Sequence, residues 1–132
     1  MYKDLLKCFN ESSDDTNIAT EPGNYRSFYG EIKTEFVEGK VENATFEIKE
    51  NGEVIWENGT WEDGYWAGGK WRGGVWHGGT WHGGTWYGGT WEKGIWYNGT
   101  WENGTWYNGA WERGRDKSGK ARTDSPDTWC LR

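Results

Sequence analysis

Proline occurs twice in this chain of 132 residues, cysteine twice and methionine once. So few prolines exclude a polyproline rod, and the 22 glycines do not follow the every-third-residue period of collagen. Cys8 and Cys130 lie near opposite ends and make no disulfide framework, so they are read as reduced thiols. No apolar run is long enough to span a bilayer. The opening "MYKDLLKCFNESSDD" lacks the apolar core and small-residue cleavage site of a secretory signal, which predicts cytoplasmic synthesis without a signal peptide. Basic residues are outnumbered, 15 to 21, giving a net charge of −6 and a pI of about 5.0. The cationic surface that drives nucleic-acid binding is therefore missing. Aliphatic residues are sparse, yet 18% of the chain is aromatic, which argues against disorder.

What is present is a beat. "TWENGTWYNGAWERG", Thr100 to Gly114, places Trp101, Trp106 and Trp111 five residues apart. The same frame runs back through Trp96, Trp91, Trp86, Trp81, Trp76, Trp71, Trp66 and Trp61 to Trp56. In the pentad Gly-x-Trp-x-x the glycine is unbroken from Gly59 to Gly109, whereas the residue after the ring is Glu, Ala, Arg, His or Tyr. Tryptophan and glycine thus carry the architecture, and the variable positions carry any specificity.

Around this array the chain divides into residues 1–24, a helix and loop cap; 25–57, degenerate strands and a hairpin; 58–114, the pentad array; and 115–132, a loose polar tail on which Trp129 docks back. Tyr2, Leu5, Leu6 and Phe9 have helical spacing, and "NESSDDTNIATEPGN" has loop composition. Ile32, Thr34 and Phe36 alternate as in a strand. Phe36, Val41 and Phe46 extend the frame backwards, with Gly39 and Ala44 near the glycine position, until it breaks at "KENGE". A type I turn over Glu50 and Asn51 with Gly52 as a left-handed bulge predicts pairing of Phe46 with Trp56 and Ile48 with Val54.

Two all-β folds accommodate the beat. "GTWENG" resembles the core of MORN repeats, which implies an antiparallel meander with two-residue turns and every ring on one face. Lys93-Gly94 and Arg113-Gly114 are poor hairpin turns, and one sheet layer would leave its tryptophan face uncovered. Alternatively, the frame resembles that of pentapeptide-repeat proteins, with "ATFEI" close to a family unit. That resemblance implies a quadrilateral β-solenoid with Trp at the inward central position and Gly at the small inward one. The burial of the rings favours this solenoid. Four pentads per coil imply a period of twenty, which aligns Ile55, Val75 and Ile95, and also Thr60, Thr80 and Thr100. Against it, Tyr87, Tyr97 and Tyr107, like Glu92, Glu102 and Glu112, recur at ten.

No catalytic constellation, metal site or cofactor motif stands out. His77 and His82, the only histidines, follow the ring in successive pentads and belong on different sides of a coil, without cysteine or carboxylate at ligand spacing. Glu57, Glu62, Glu92, Glu102 and Glu112 read as solubilising charge. "AGGKWRGGVWHGG" lacks the strand-to-helix context of a phosphate loop. The chain is expected to be a non-enzymatic structural or binding module whose partner is a protein or glycan surface. Nucleic acid and membrane insertion are not expected, and homo-oligomerisation is left open. Its glycine-rich tryptophan repeats are similar in style to those of virion-associated proteins of tailed phages, which implies a virion accessory that touches a host surface. The candidate surface is Tyr87, Tyr97, Tyr107, His77 and His82. The alternatives are carbohydrate binding on an exposed tryptophan ladder, inhibition by acidic mimicry of DNA as in some pentapeptide-repeat proteins, and ice binding through Thr60, Thr80 and Thr100.

Overall fold

A chain that meets the same local instruction every five residues must turn by the same angle each time, and the number of pentads per turn sets the shape. In the computed structural model, which describes residues 17–129, that number is three. The array is built from β5 (Gly69–Trp71) and the two-residue strands β6 to β13, from Val75–Trp76 to Ala110–Trp111, each ending on tryptophan. All pair in parallel with partners fifteen residues away: Trp71 with Trp86, Trp76 with Trp91, and Trp81 with Trp96. The product is a three-sided solenoid. The expected all-β solenoid is present, but its four-sided cross-section and twenty-residue period are replaced by a triangle and a period of fifteen. The antiparallel meander is also replaced within the array.

The side length follows from the pentad's own geometry. The amide after each ring donates to the ring's own carbonyl one coil below, as His82 N–H does to Trp66 at 2.7 Å, and the amide before the ring donates to the glycine carbonyl below, as Thr90 N–H does to Gly74 at 2.9 Å. Two ladder bonds per pentad satisfy the flat part of each side. The corner falls on the frame glycine. Gly89 has φ +107°, and every frame glycine from Gly59 to Gly109 is likewise in the region that L side chains rarely adopt. A Cβ on Gly89 would lie 2.5 Å from the Gly74 carbonyl oxygen. The glycines therefore face along the coil axis onto the coil below, not inward as expected.

With no second inward side chain at the corner, one indole per side fills the interior. All twelve frame tryptophans are buried, those from Trp56 to Trp96 completely. Along the axis each ring stacks on the ring fifteen residues away, with centroids 4.7–5.1 Å apart and planes within 8°. Around the axis each ring meets the next edge to face, as Trp76 meets Trp81 at 5.8 Å and 74°. Both geometries suit the ring quadrupole, offset stacking in one direction and a T-shape in the other. The indole N–H points at the corner. Trp91 and Trp96 donate to the carbonyls of Asn108 and Arg113, and Trp111 donates to Arg122, each at 3.1 Å. The N–H groups of Trp56, Trp61, Trp66, Trp71, Trp76, Trp81 and Trp86 have no partner within bonding geometry.

Three longer strands form the base: β2 (Gly23–Lys33), β3 (Val37–Ile48) and β4 (Val54–Trp66), preceded by β1 (Ile18–Ala19). β4 is the first full coil, since its three thirds support β5, β6 and β7 in parallel. On its other edge β3 runs antiparallel, so the chain reverses its winding at the hairpin. There Lys49 N–H donates to Glu53 and Gly52 has φ +92°, which pairs Phe46 with Trp56 and Ile48 with Val54 as expected. Tyr25 stacks on Phe46 at 4.9 Å and Phe46 on Trp56 at 5.9 Å, continuing one indole column downward. Gly39 floors another, because a Cβ there would overlap the Trp61 ring.

Three details differ from expectation, and one expectation falls outside the described residues. Thr34 and Phe36 lie in a turn, because Thr34 Oγ1 accepts from the amides of Phe36 and Val37 and ends the strand; Val37, not Phe36, is buried. The segment assigned to loop contributes β1, which pairs in parallel with Glu31 and Ile32. The helix expected over Tyr2–Phe9 lies outside the described residues, as do Cys8 and Cys130. The tail expected to be loose forms a hairpin of β14 (Gly114–Arg115) and β15 (Ala121–Arg122), and Trp129 docks edge-on against Trp111 at 5.3 Å. Asp116 holds this hairpin, accepting from the Ser118 hydroxyl at 2.7 Å and from Arg122 Nε at 2.9 Å. These bonds keep its carboxyl well below the usual range, mainly through the Ser118 hydroxyl.

Candidate binding surface

Since every inward position of the array is an indole, the side chains that differ from pentad to pentad lie on the outward rows. The period of fifteen decides which residues share a row. On one face Glu57, Arg72, Tyr87 and Glu102 are stacked in that order. Arg72 Nε lies 3.5 Å from the Glu57 carboxylate, and its guanidinium sits 5.6 Å from the Tyr87 ring centroid. A second face carries Glu62, His77, Glu92 and Tyr107, with His77 Nδ1 3.2 Å from Glu92. Glu62 faces Glu42 of β3. Partial desolvation, a hydrogen bond to Glu42 and repulsion from it raise the Glu62 pKa. The third face carries Ala67, His82, Tyr97 and Glu112. His82 contacts Tyr65 at 5.3 Å and Tyr97 at 4.8 Å between centroids, a short aromatic ridge on the outside of the coil.

The candidate residues are thus all outward, but they do not make one surface. Tyr87, Tyr97 and Tyr107 project from three different faces, because ten residues is two sides of a triangle. His77 and His82 are on different faces, as expected. Only His82 and Tyr97 are brought together. The row Thr60, Thr80 and Thr100 is also dispersed over the three faces; the threonines that do stack are Thr85 on Thr100 and Thr90 on Thr105. The frame indoles are buried, so an exposed tryptophan ladder for sugars does not exist. Among the described residues no group of three or more His, Cys, Asp and Glu side chains is placed to hold a metal ion.

Beside the aromatic ridge is a cleft of about 260 Å³ lined by His82, Tyr97, Asn98, Glu112 and Arg113. Sequence reasoning included His82 and Tyr97 but not Asn98 and Arg113, and it read Glu112 as mere charge. Writing the positions after the ring at intervals of fifteen aligns His82, Tyr97 and Glu112 directly. That spacing of fifteen is the signal in the sequence that groups them. Among the described residues no helix is long and apolar enough to cross a membrane. Comparison with models of protein families, with curated proteins and with solved structures finds no match.

Proposed function

We propose that this chain is a non-catalytic structural and binding module, a rigid indole-filled coil that presents ordered rows of side chains to a macromolecular surface. The observation that supports it is the contrast between one invariant core and three unlike faces: Glu57–Arg72–Tyr87 on one, His77–Glu92 on another, Tyr65–His82–Tyr97 on the third. Stacked parallel strands lie about 4.8 Å apart, so each face is a ruler of fixed spacing. Repeat architectures use such extended faces for binding. The setting we favour is the surface of a phage virion, with a host-surface protein or glycan as partner. Mimicry of DNA has less support, since Arg72 is paired with Glu57, and Lys70, Lys93 and Arg113 interrupt the acidic rows.

Co-sedimentation of labelled protein with intact bacterial cells and with purified tailed-phage particles tests this reading. Three variants, each with one face's outward row replaced by threonine, are compared with the parent. Binding that is lost on changing a single face, with the melting temperature retained, supports a binding module. Binding that is absent throughout, or that is lost only when the coil unfolds, overturns it.

A further inference from the structure

Resting on that reading, we infer that the cleft beside Tyr97 is a binding site for a single pyranose ring, a sugar residue of neutral charge. The lining has the two elements that sugar recognition requires. Tyr97 is 40% exposed and offers an aromatic surface for the apolar C–H side of the ring. Around it stand an acceptor, the Glu112 carboxylate, donors on Arg113 and Asn98, and an imidazole on His82 that does either. A sugar hydroxyl both donates and accepts, so this mixed set matches a polyol better than it matches an ammonium or a phosphate.

Charge and size narrow the ligand further. Glu112 offsets Arg113 within the cleft, and the net charge of −6 repels anionic ligands, which disfavours nucleotides and acidic sugars. The cleft's 260 Å³ is below the ~300–1,000 Å³ typical of drug-sized pockets, which leaves room for one ring and not for a long oligosaccharide. The contact between His82 and Tyr97 limits the freedom of both rings before any ligand arrives. Their alignment one above the other is fixed by the ladder, because Trp81 and Trp96 are register partners and the two side chains follow them directly.

Saturation-transfer NMR with the methyl glycosides of glucose, galactose, mannose and N-acetylglucosamine tests the site. At least one glycoside is expected to receive saturation, with a dissociation constant on the order of 1 mM, as suits a shallow site. Tyr97→Ala and Glu112→Gln should each weaken it about tenfold or more, and Lys33→Ala, an exposed position on β2 away from the cleft, should leave it unchanged. If one of the two cleft variants fails to fold, the other carries the test. Transfer that extends to the matching tetrasaccharide assigns the ligand as a chain end, and transfer to the monosaccharide alone assigns it as a free sugar; either result supports the site. No transfer to any glycoside at concentrations on the order of 10 mM, or transfer that survives both variants, overturns it. If face-dependent co-sedimentation persists while no glycoside binds, the sugar site fails and the binding module stands.

Discussion

Gly88 and Gly89 are adjacent and chemically identical, yet the coil asks opposite things of them. Gly88 lies on the outer approach to the corner, outside the left-handed region, and a Cβ there would make ordinary contact with the Arg72 carbonyl at 3.5 Å. Gly88→Ala should therefore be neutral or stabilise by up to ~1 kcal/mol, through the restricted unfolded chain. Gly89 is the corner itself. Its φ of +107° costs a residue with a Cβ roughly 1–3 kcal/mol. The overlap with the Gly74 oxygen at 2.5 Å, a backbone atom that cannot rotate away, adds roughly 1–3 kcal/mol. Gly89→Ala should thus cost about 4 kcal/mol. Urea unfolding followed by near-UV circular dichroism measures both, since the signal of the stacked indoles reports the coil directly. Repeat arrays can melt in parts, so the midpoint and slope are compared together. If the two variants differ by less than ~1 kcal/mol, the corner is not at the frame glycine and the three-sided coil is wrong.

The emission of the protein should be blue-shifted and poorly quenched by acrylamide, because the frame rings are between 0% and 9% exposed; ready quenching would refute the closed core. Trp86→Ala, in the middle of a column, should destabilise by about 4 kcal/mol in the same urea assay. Asp116→Asn should loosen the terminal hairpin by about 2 kcal/mol, read as increased amide exchange over residues 114–122. The folded carboxyl of Asp116 titrates below its unfolded value, so its contribution is present above the ordinary aspartate range and is lost as pH falls through it. Glu62 has the opposite sign: its pKa is raised, so its stabilising contribution is present at low pH and lost as pH rises through the folded value. Glu62→Gln should therefore gain stability relative to the parent as pH rises from the acid range to neutrality, which paired urea titrations at the two pH values will show.

Much of this was legible from residue order. The fixed glycine and the hairpin that pairs Phe46 with Trp56 follow from spacing and from turn chemistry, whereas the inward indole and the solenoid are implied by the pentapeptide-repeat resemblance and favoured over the meander by ring burial. The number of sides does not follow from spacing, because a five-residue repeat sets the length of a side and is silent on the angle at its end. That angle depends on the left-handed glycine and on three indoles closing edge to face, which is a packing result. The pentapeptide-repeat resemblance implies four sides. With corner glycines that send no side chain inward, three rings suffice and the coil is narrower. The candidate surface was misgrouped for the same reason. At a period of twenty Tyr87 and Tyr107 would share one side with Tyr97 on the opposite one, and the company of His82, Tyr97 and Glu112 went unseen. The order of the terminal hairpin was missed because it depends on Asp116, whose partners Ser118 and Arg122 gather only once the chain turns.

A triangular coil of identical sides has an unusual relation to its own gene. Loss or gain of five codons within the array leaves each indole between the end coils with a ring above and below it, since each pentad presents the same inward residue. The outer rows do not survive unchanged. Beyond the altered point the coil is turned by one side, so residues that had shared a face are dealt to its neighbours, and Tyr97 would stand above a different pentad. Fifteen codons restore the original alignment and only lengthen the rod. Slippage in a repetitive gene would then act as a shuffling device, producing new combinations of surface side chains on a core that is indifferent to the change.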